Sequence, residues 1–117
     1  MAYVDGFVAP VPTGNRDAFR KHAAVAAAVF KEFGALKVVD CWENDVPEGE
    51  VTSFPLAVQR KEGEGVVFGW ILWPSREVRD AAMRKAMEDP RMQQDSNPMP
   101  FDGKRLVYGG FEIIHEA

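Results

Sequence analysis

The stretch Val66–Ser75, Val-Val-Phe-Gly-Trp-Ile-Leu-Trp-Pro-Ser, restricts the fold more than any other part of the chain. Side chains alternate along a strand, so Val67, Ile71 and Trp73 share one face while Val66, Phe68, Trp70 and Leu72 share the other. Neither face is polar. A strand of this kind needs a cover on both sides, and Pro74-Ser75 delivers it straight into a helix cap. The rest of the sequence decides what supplies the two covers.

Tyr3–Ala9 reads as a first strand, with Tyr3, Asp5, Phe7 and Ala9 on one face. Pro10 and Pro12 are expected to end it, since neither can donate to a ladder. Thr13 or Asn15 then caps a helix over Arg16–Phe33, whose apolar stripe is Phe19, Ala23, Ala26, Phe30 and Phe33. Gly34 stands where a helix end favours a left-handed residue. Leu36–Glu43 is a second strand, with Leu36, Val38, Asp40 and Trp42 on one face and Val39 and Cys41 on the other. Asn44–Ser53 reads as an exposed loop, Phe54–Arg60 as extended chain, and Glu62–Gly65 as a hairpin turn into the opening strand.

Ser75 caps a second helix that runs to about Glu88, ahead of Pro90. Residues 90–103 form a long loop, of a length often tied to function. A last strand is expected over Lys104–Ile114, with Gly109-Gly110 marking a bulge or a close approach by another backbone.

The order β-α-β-β-α-β predicts one α+β domain over residues 1–117, a ferredoxin-like antiparallel sheet with two helices on one face. Two helices cover only one face. A solvated second face would alternate apolar with polar, and these strands do not. The expectation is a homodimer, with the free faces of two sheets packed about a two-fold axis.

Charge narrows the partners. Eighteen acidic and 14 basic residues are interleaved for a net charge of −4, which argues against nucleic acid and offers no polybasic run for an anionic membrane. No apolar run approaches the ~20 residues of a membrane span. The first residues lack the charged and apolar regions of a signal peptide. The single cysteine, Cys41, cannot form an internal disulfide and is expected to be a small buried hydrophobe, so the cytoplasm is the expected location.

Four charges, Asp5, Asp40, Arg105 and Glu112, fall within apolar strand patterns, where a charge must be paired or must line a cavity. Paired ions are one reading. The other is a pocket between sheet and helices lined by Tyr3, Asp5, Trp70, Arg105 and Tyr108, suited to a small planar or acidic ligand. His22 lies in the apolar arc of the first helix, as a hydrogen-bonded structural residue or a group for proton transfer. Arg79 falls in the apolar arc of the second helix, where it either snorkels to solvent, the favoured expectation, or points its guanidinium at the pocket as a further candidate ligand-binding residue. His22 and His115 make no zinc pattern with each other or with Cys41. Nor is there a glycine-rich phosphate loop or a nucleophile elbow, so no metal and no cofactor is expected.

Several segments resemble a bacterial family of short proteins of unknown function, the YbaA-like family. They are Tyr3-Val-Asp-Gly-Phe-Val, Ala35 onward to Asp45-Val-Pro-Glu-Gly, Val66–Ser75, Arg79-Asp, Met87-Glu-Asp-Pro-Arg-Met, and Met99-Pro-Phe-Asp-Gly-Lys-Arg followed by Gly109-Gly-Phe. The match runs through nearly the whole chain, and the last block is its most specific part. The resemblance implies a dimeric α+β barrel, a superfamily that includes cofactor-free monooxygenases, lactone isomerases and haem-dependent chlorite enzymes. It implies no catalytic residues, because the family has no established reaction.

The functional expectation is a small cytoplasmic homodimer that binds or converts a hydrophobic or aromatic metabolite, with residues 90–103 as a lid. The alternative is a non-enzymatic dimeric module whose apolar residues serve packing and association alone. A cavity bringing Asp5, Trp70 and Arg105 together would favour the first.

Overall fold

The computed structural model describes residues 2–117. Strands β1 (Tyr3–Pro12), β2 (Lys37–Trp42), β3 (Glu64–Trp73) and β4 (Val107–Glu112) form one antiparallel sheet in the order β2-β3-β1-β4. Helices α1 (Arg16–Glu32) and α3 (Arg76–Glu88) pack on one face, and a one-turn helix, α2 (Phe54–Ala57), precedes β3. This is the expected ferredoxin-like α+β arrangement with one added turn of helix.

The helix-side core lies in two parts. At one end, Tyr3, Ile71 and Trp73 pack with Ala35 and Ala82, against Phe30, Phe33 and Val78. At the other, Ala9, Val11 and Val67 pack with Phe19, against Phe101 and Leu106. Gly34 closes α1 at φ 124°, and a Cβ there would stand 2.7 Å from Val78 Cγ1, so the left-handed turn also brings α3 close. Ser75 caps α3 as expected, its Oγ accepting from the Val78 N–H at 3.2 Å.

β1 does not stop at Pro10. It pairs with β3 from Tyr3–Trp73 as far as Pro12–Glu64, whereas β4 reaches only from Tyr3–Glu112 to Val8–Val107. The direction of the main-chain groups explains the difference. The Val66 carbonyl accepts from Glu43 N–H at 2.9 Å, toward β2, so Pro10 opposite it faces away from β3 and toward β4. Pro12 has the same parity. The prolines therefore cost β1 nothing on the β3 side and end its pairing with β4 instead.

That explains a second departure. The last strand begins at Val107 rather than Lys104, and Gly103–Arg105 form a 3-10 turn. Gly109-Gly110 makes no bulge: Gly109 faces Gly6 and Gly110 faces Asp5 in continuous register. A Cβ on Gly110 would collide with the Arg79 guanidinium and the Tyr3 hydroxyl, so the close approach is by side chains rather than backbone.

Phe54–Arg60 is not extended. Pro55 sits in the first turn of α2, and the Ser53 hydroxyl accepts from Leu56 N–H at 3.0 Å. The segment folds back over the sheet face opposite α1 and α3, where Val58 is buried with Val8 and Val66. Phe54 meets Phe68 there, with ring centroids 6.1 Å apart.

Beyond that corner the opposite face is open. Register places Val4, Val39, Phe68, Trp70, Leu72, Val107 and Phe111 on it, and Phe68, Val107 and Phe111 are 42%, 47% and 61% exposed. Cys41 shares this face and is exposed, contrary to expectation, because nothing among the described residues covers it.

Candidate functional site

A cavity of about 270 Å³ lies between the helix side of the sheet and α1. α1 contributes Phe19, His22, Ala23, Ala26 and Phe30, which follow the stripe of helical spacing. Asp5 and Phe7 of β1, Val38 and Asp40 of β2, Ile71 of β3 and Tyr108 of β4 form the sheet wall. Met83 of α3 closes one side. Met92, Met99, Phe101 and Leu106 come from the long segment after α3.

That segment is pinned rather than loose. Asn15 does not cap α1 with its side chain; its Nδ2 donates to the Pro100 carbonyl at 2.8 Å. Asn97 makes two contacts with one residue, Nδ2 donating to the His22 carbonyl at 3.3 Å and Oδ1 lying 3.0 Å from His22 Nδ1. Phe101 sets its ring edge against Phe19 and His22, at centroid distances of 6.0 and 6.5 Å. Farther along, Arg91 bridges Asp89 and Glu32, each at 2.7 Å. The Arg91 guanidinium holds the Asp89 carboxyl down at about 2.

The two acids of the cavity differ in their partners. Asp5 Oδ2 accepts from the indole N–H of Trp73 at 2.9 Å and lies 3.5 Å from Arg79 Nε. Burial raises its pKa above 3.8, and Trp73 and Arg79 oppose that shift. Asp40 has no hydrogen bond or ion pair among the described residues. The residue is exposed overall, yet surrounding atoms strip water from its carboxyl, and this desolvation raises its pKa against the attraction of His22. The local effect is the one that bears on ligand contact, since Asp40 is shared between the cavity and a depression outside α1. That depression, about 680 Å³, is larger but has a charged rim that includes Arg16, Asp17 and Arg20.

Of the residues marked in the sequence, Asp5, His22, Trp70 and Tyr108 line the cavity; Tyr3, Arg79 and Arg105 do not. Trp70 reaches it only from the floor. Strand parity sends its ring to the open face, where it packs 5.8 Å from Phe68. Tyr108 is 77% exposed and stands at the mouth.

Arg79 does not snorkel. Its Nη2 donates to the Tyr3 hydroxyl at 2.7 Å, its guanidinium lies 4.9 Å from the Tyr3 ring centroid, and Nη1 meets Asp80 at 3.1 Å. Burial opposes its charge, but Tyr3 and Asp5 outweigh that and hold its pKa above the usual value. Arg105 leaves the strand pattern altogether. It forks onto Glu64 with two hydrogen bonds of 2.7 Å, meets Asp102 at 3.1 Å and donates to the Gln59 carbonyl at 3.0 Å. The cavity that joins Asp5 to the Trp70 position thus excludes Arg105.

Sequence reading missed Asp40 and Asn97 as parts of one site. Asp40 carried a signal, as a charge on the same strand face as Val38 and Trp42. Asn97 carried none, because its partner lies 75 positions away.

Comparison with known proteins places this geometry in a lineage. A family model described as "Protein of unknown function (DUF1428)" matches residues 2–103. The chain belongs to this family. It is 60% identical over 114 residues to the uncharacterized protein YbaA of Escherichia coli (strain K12), covering 97% of both chains. The same figures hold for YbaA of Shigella flexneri. Among solved structures, the chain is similar in fold to a mutant form of SnoaB, a cofactor-independent oxygenase from Streptomyces nogalater. The TM-score is 0.57 at 15% identity, over 98% of this chain and 95% of that one. At that identity the likeness concerns fold alone. Among the described residues, no helix is long and apolar enough to cross a membrane.

Proposed function

We propose that this protein binds a small hydrophobic or aromatic metabolite in the cavity between sheet and α1, and does so as a homodimer. The observation that carries the reading is the cavity itself. About 270 Å³ of space is walled by aromatic, methionine and alanine side chains, with a few ionisable groups facing it. A chain needing only a packed core would fill that space, since voids in protein interiors cost stability. The pinned segment 93–101 serves as the lid, held by Asn97 on His22 and by Phe101. The fold shared with a cofactor-independent oxygenase is compatible with conversion of the ligand as well as binding.

The open face supports the dimer. Its apolar side chains span all four strands, and a second copy would cover like with like. An exposed thiol at Cys41 suits a reducing compartment, and the reading places the protein in the cytoplasm. The same open face also favours a second reading, a dimeric module with no ligand.

A thermal-shift screen against quinones, phenols and lactones separates the two. A ligand at 100 times its dissociation constant should add ~2.7 kcal/mol of stability. Ala26→Phe, placed to fill the cavity, should abolish the shift. A panel without effect on the wild type, or with the same effect on the filled variant, would leave the module reading in place.

A further inference from the structure

We infer that the ligand of this cavity is a hydroxylated aromatic, held by hydrogen bonds that it donates to Asp40 and to Nε2 of His22. The inference rests on the reading of the cavity as a ligand site and adds the chemistry of what enters it.

The polar inventory of the walls is one-sided. Among the described residues, no Lys or Arg side chain lines the cavity. The two arginines that the strand and helix patterns brought near it are spent elsewhere, Arg79 on Tyr3, Asp5 and Asp80, and Arg105 on Glu64 and Asp102. In the neighbouring depression, Arg16 lies over the Trp42 ring at 5.5 Å and Arg20 reaches Asp17 at 3.8 Å. An anionic ligand would therefore meet the carboxylates of Asp5 and Asp40 with no Lys or Arg to offset them.

What the walls do hold is acceptors. Asp5 already receives the Trp73 N–H, while Asp40 receives nothing from the described residues. His22 becomes an acceptor through Asn97. Because Asn97 Nδ2 donates to the His22 carbonyl, its Oδ1 is the atom turned to the ring, and Oδ1 can only accept. In its neutral form the imidazole therefore carries its proton on Nδ1, which leaves Nε2 as an acceptor with no partner among the described residues. The Tyr108 hydroxyl is the remaining side-chain donor, and its ring stands mostly in solvent.

The Asp40 carboxyl and the Nε2 lone pair have no protein donor among the described residues, so a ligand hydroxyl would replace the water that reaches them. An aromatic ring with hydroxyl groups supplies that donor and fits walls of Phe7, Phe19, Phe30 and Phe101. Its oxidised or methylated counterpart brings only acceptors and meets lone pair with lone pair. The donor requirement thus discriminates among ligands of nearly one shape.

Calorimetric titration of the wild-type protein with 1-naphthol, 1-methoxynaphthalene and 1-naphthoate tests this at constant ring size. The expected result is 1-naphthol binding about tenfold or more tightly than either of the others, equivalent to ~1.4 kcal/mol or more. Asp40→Asn, which breaks no contact in the folded chain, should shrink that preference to less than about threefold, and His22→Leu should shrink it independently. Equal affinity for naphthol and its methyl ether, tightest binding of naphthoate, or a preference that survives both substitutions would overturn the inference alone. Failure of all three compounds to bind would overturn the cavity reading together with it.

Discussion

Trp73 is fully buried, and its indole N–H meets Asp5 Oδ2 at 2.9 Å, so one side chain both fills the core and satisfies a charge. Trp73→Phe keeps most of the volume and removes the donor. Losing a hydrogen bond to a charged group should cost about 2 kcal/mol in urea denaturation. Asp40 behaves differently, because burial outweighs the attraction of His22 and its folded pKa lies above 3.8. The folded chain then holds a proton that the unfolded chain releases. That contribution is complete below 3.8 and is lost as pH rises through the raised value. Asp40→Asn removes it. The stability of the variant relative to wild type should therefore climb as pH is raised from below 3.8 to neutrality, measured by denaturant midpoints. Asp5, Asp40 and Arg105 look alike in the sequence, each a charge in an apolar pattern. Only three-dimensional pairing separates them: Asp5 is bridged by Trp73 and Arg79, Arg105 is forked onto Glu64, and Asp40 is left to the cavity.

The elements are largely written in local patterns. Alternation marks the four strands, the Phe19–Phe30 stripe marks α1, and Ser75 and Pro90 bound α3. The misreadings share a cause. Ser53-Phe-Pro-Leu is a cap with proline in the first turn, but four residues are too few to show helical spacing, so alternation dominates the pattern of Phe54–Arg60. Pro10 and Pro12 are unable to donate, as their chemistry requires; what local sequence does not say is which neighbour will miss the donor. The segment after α3 is the element whose role is most open to test. Asn97 ties residues 93–101 to α1, alongside the Asn15–Pro100 bond and, nearer α3, the Arg91–Glu32 bridge. Asn97→Ala should raise amide hydrogen exchange across residues 93–101 while leaving the strand amides protected. Equal exchange in variant and wild type would mean that Phe101 and the Asn15–Pro100 hydrogen bond suffice to hold the segment.

At the scale of the molecule, the apolar character of both faces of β3 is the most informative property of the sequence. α1 and α3 account for one face. α2 covers a corner of the other, which leaves Phe68, Val107 and Phe111 exposed and Trp70 half-buried. Light scattering at micromolar concentration should give twice the mass of one chain. Phe68→Glu places a charge on that face and should give the mass of one chain, because an unpaired buried charge is not tolerated at an interface. A wild-type monomer would remove the dimer. Register alone settles where Trp70 belongs: its ring lies with Phe68, on the side away from the cavity.

The paired prolines of β1 carry one more consequence. Past Val8, the side of β1 that β4 has left is covered rather than bare: Ala9, Pro10 and Val11 are buried, and Phe101 and Leu106 pack against this end. Alternate residues there present nitrogen without hydrogen, so an incoming strand finds no ladder to extend. Growth by edge addition is blocked at this end of the sheet, by cover as well as by the missing donors.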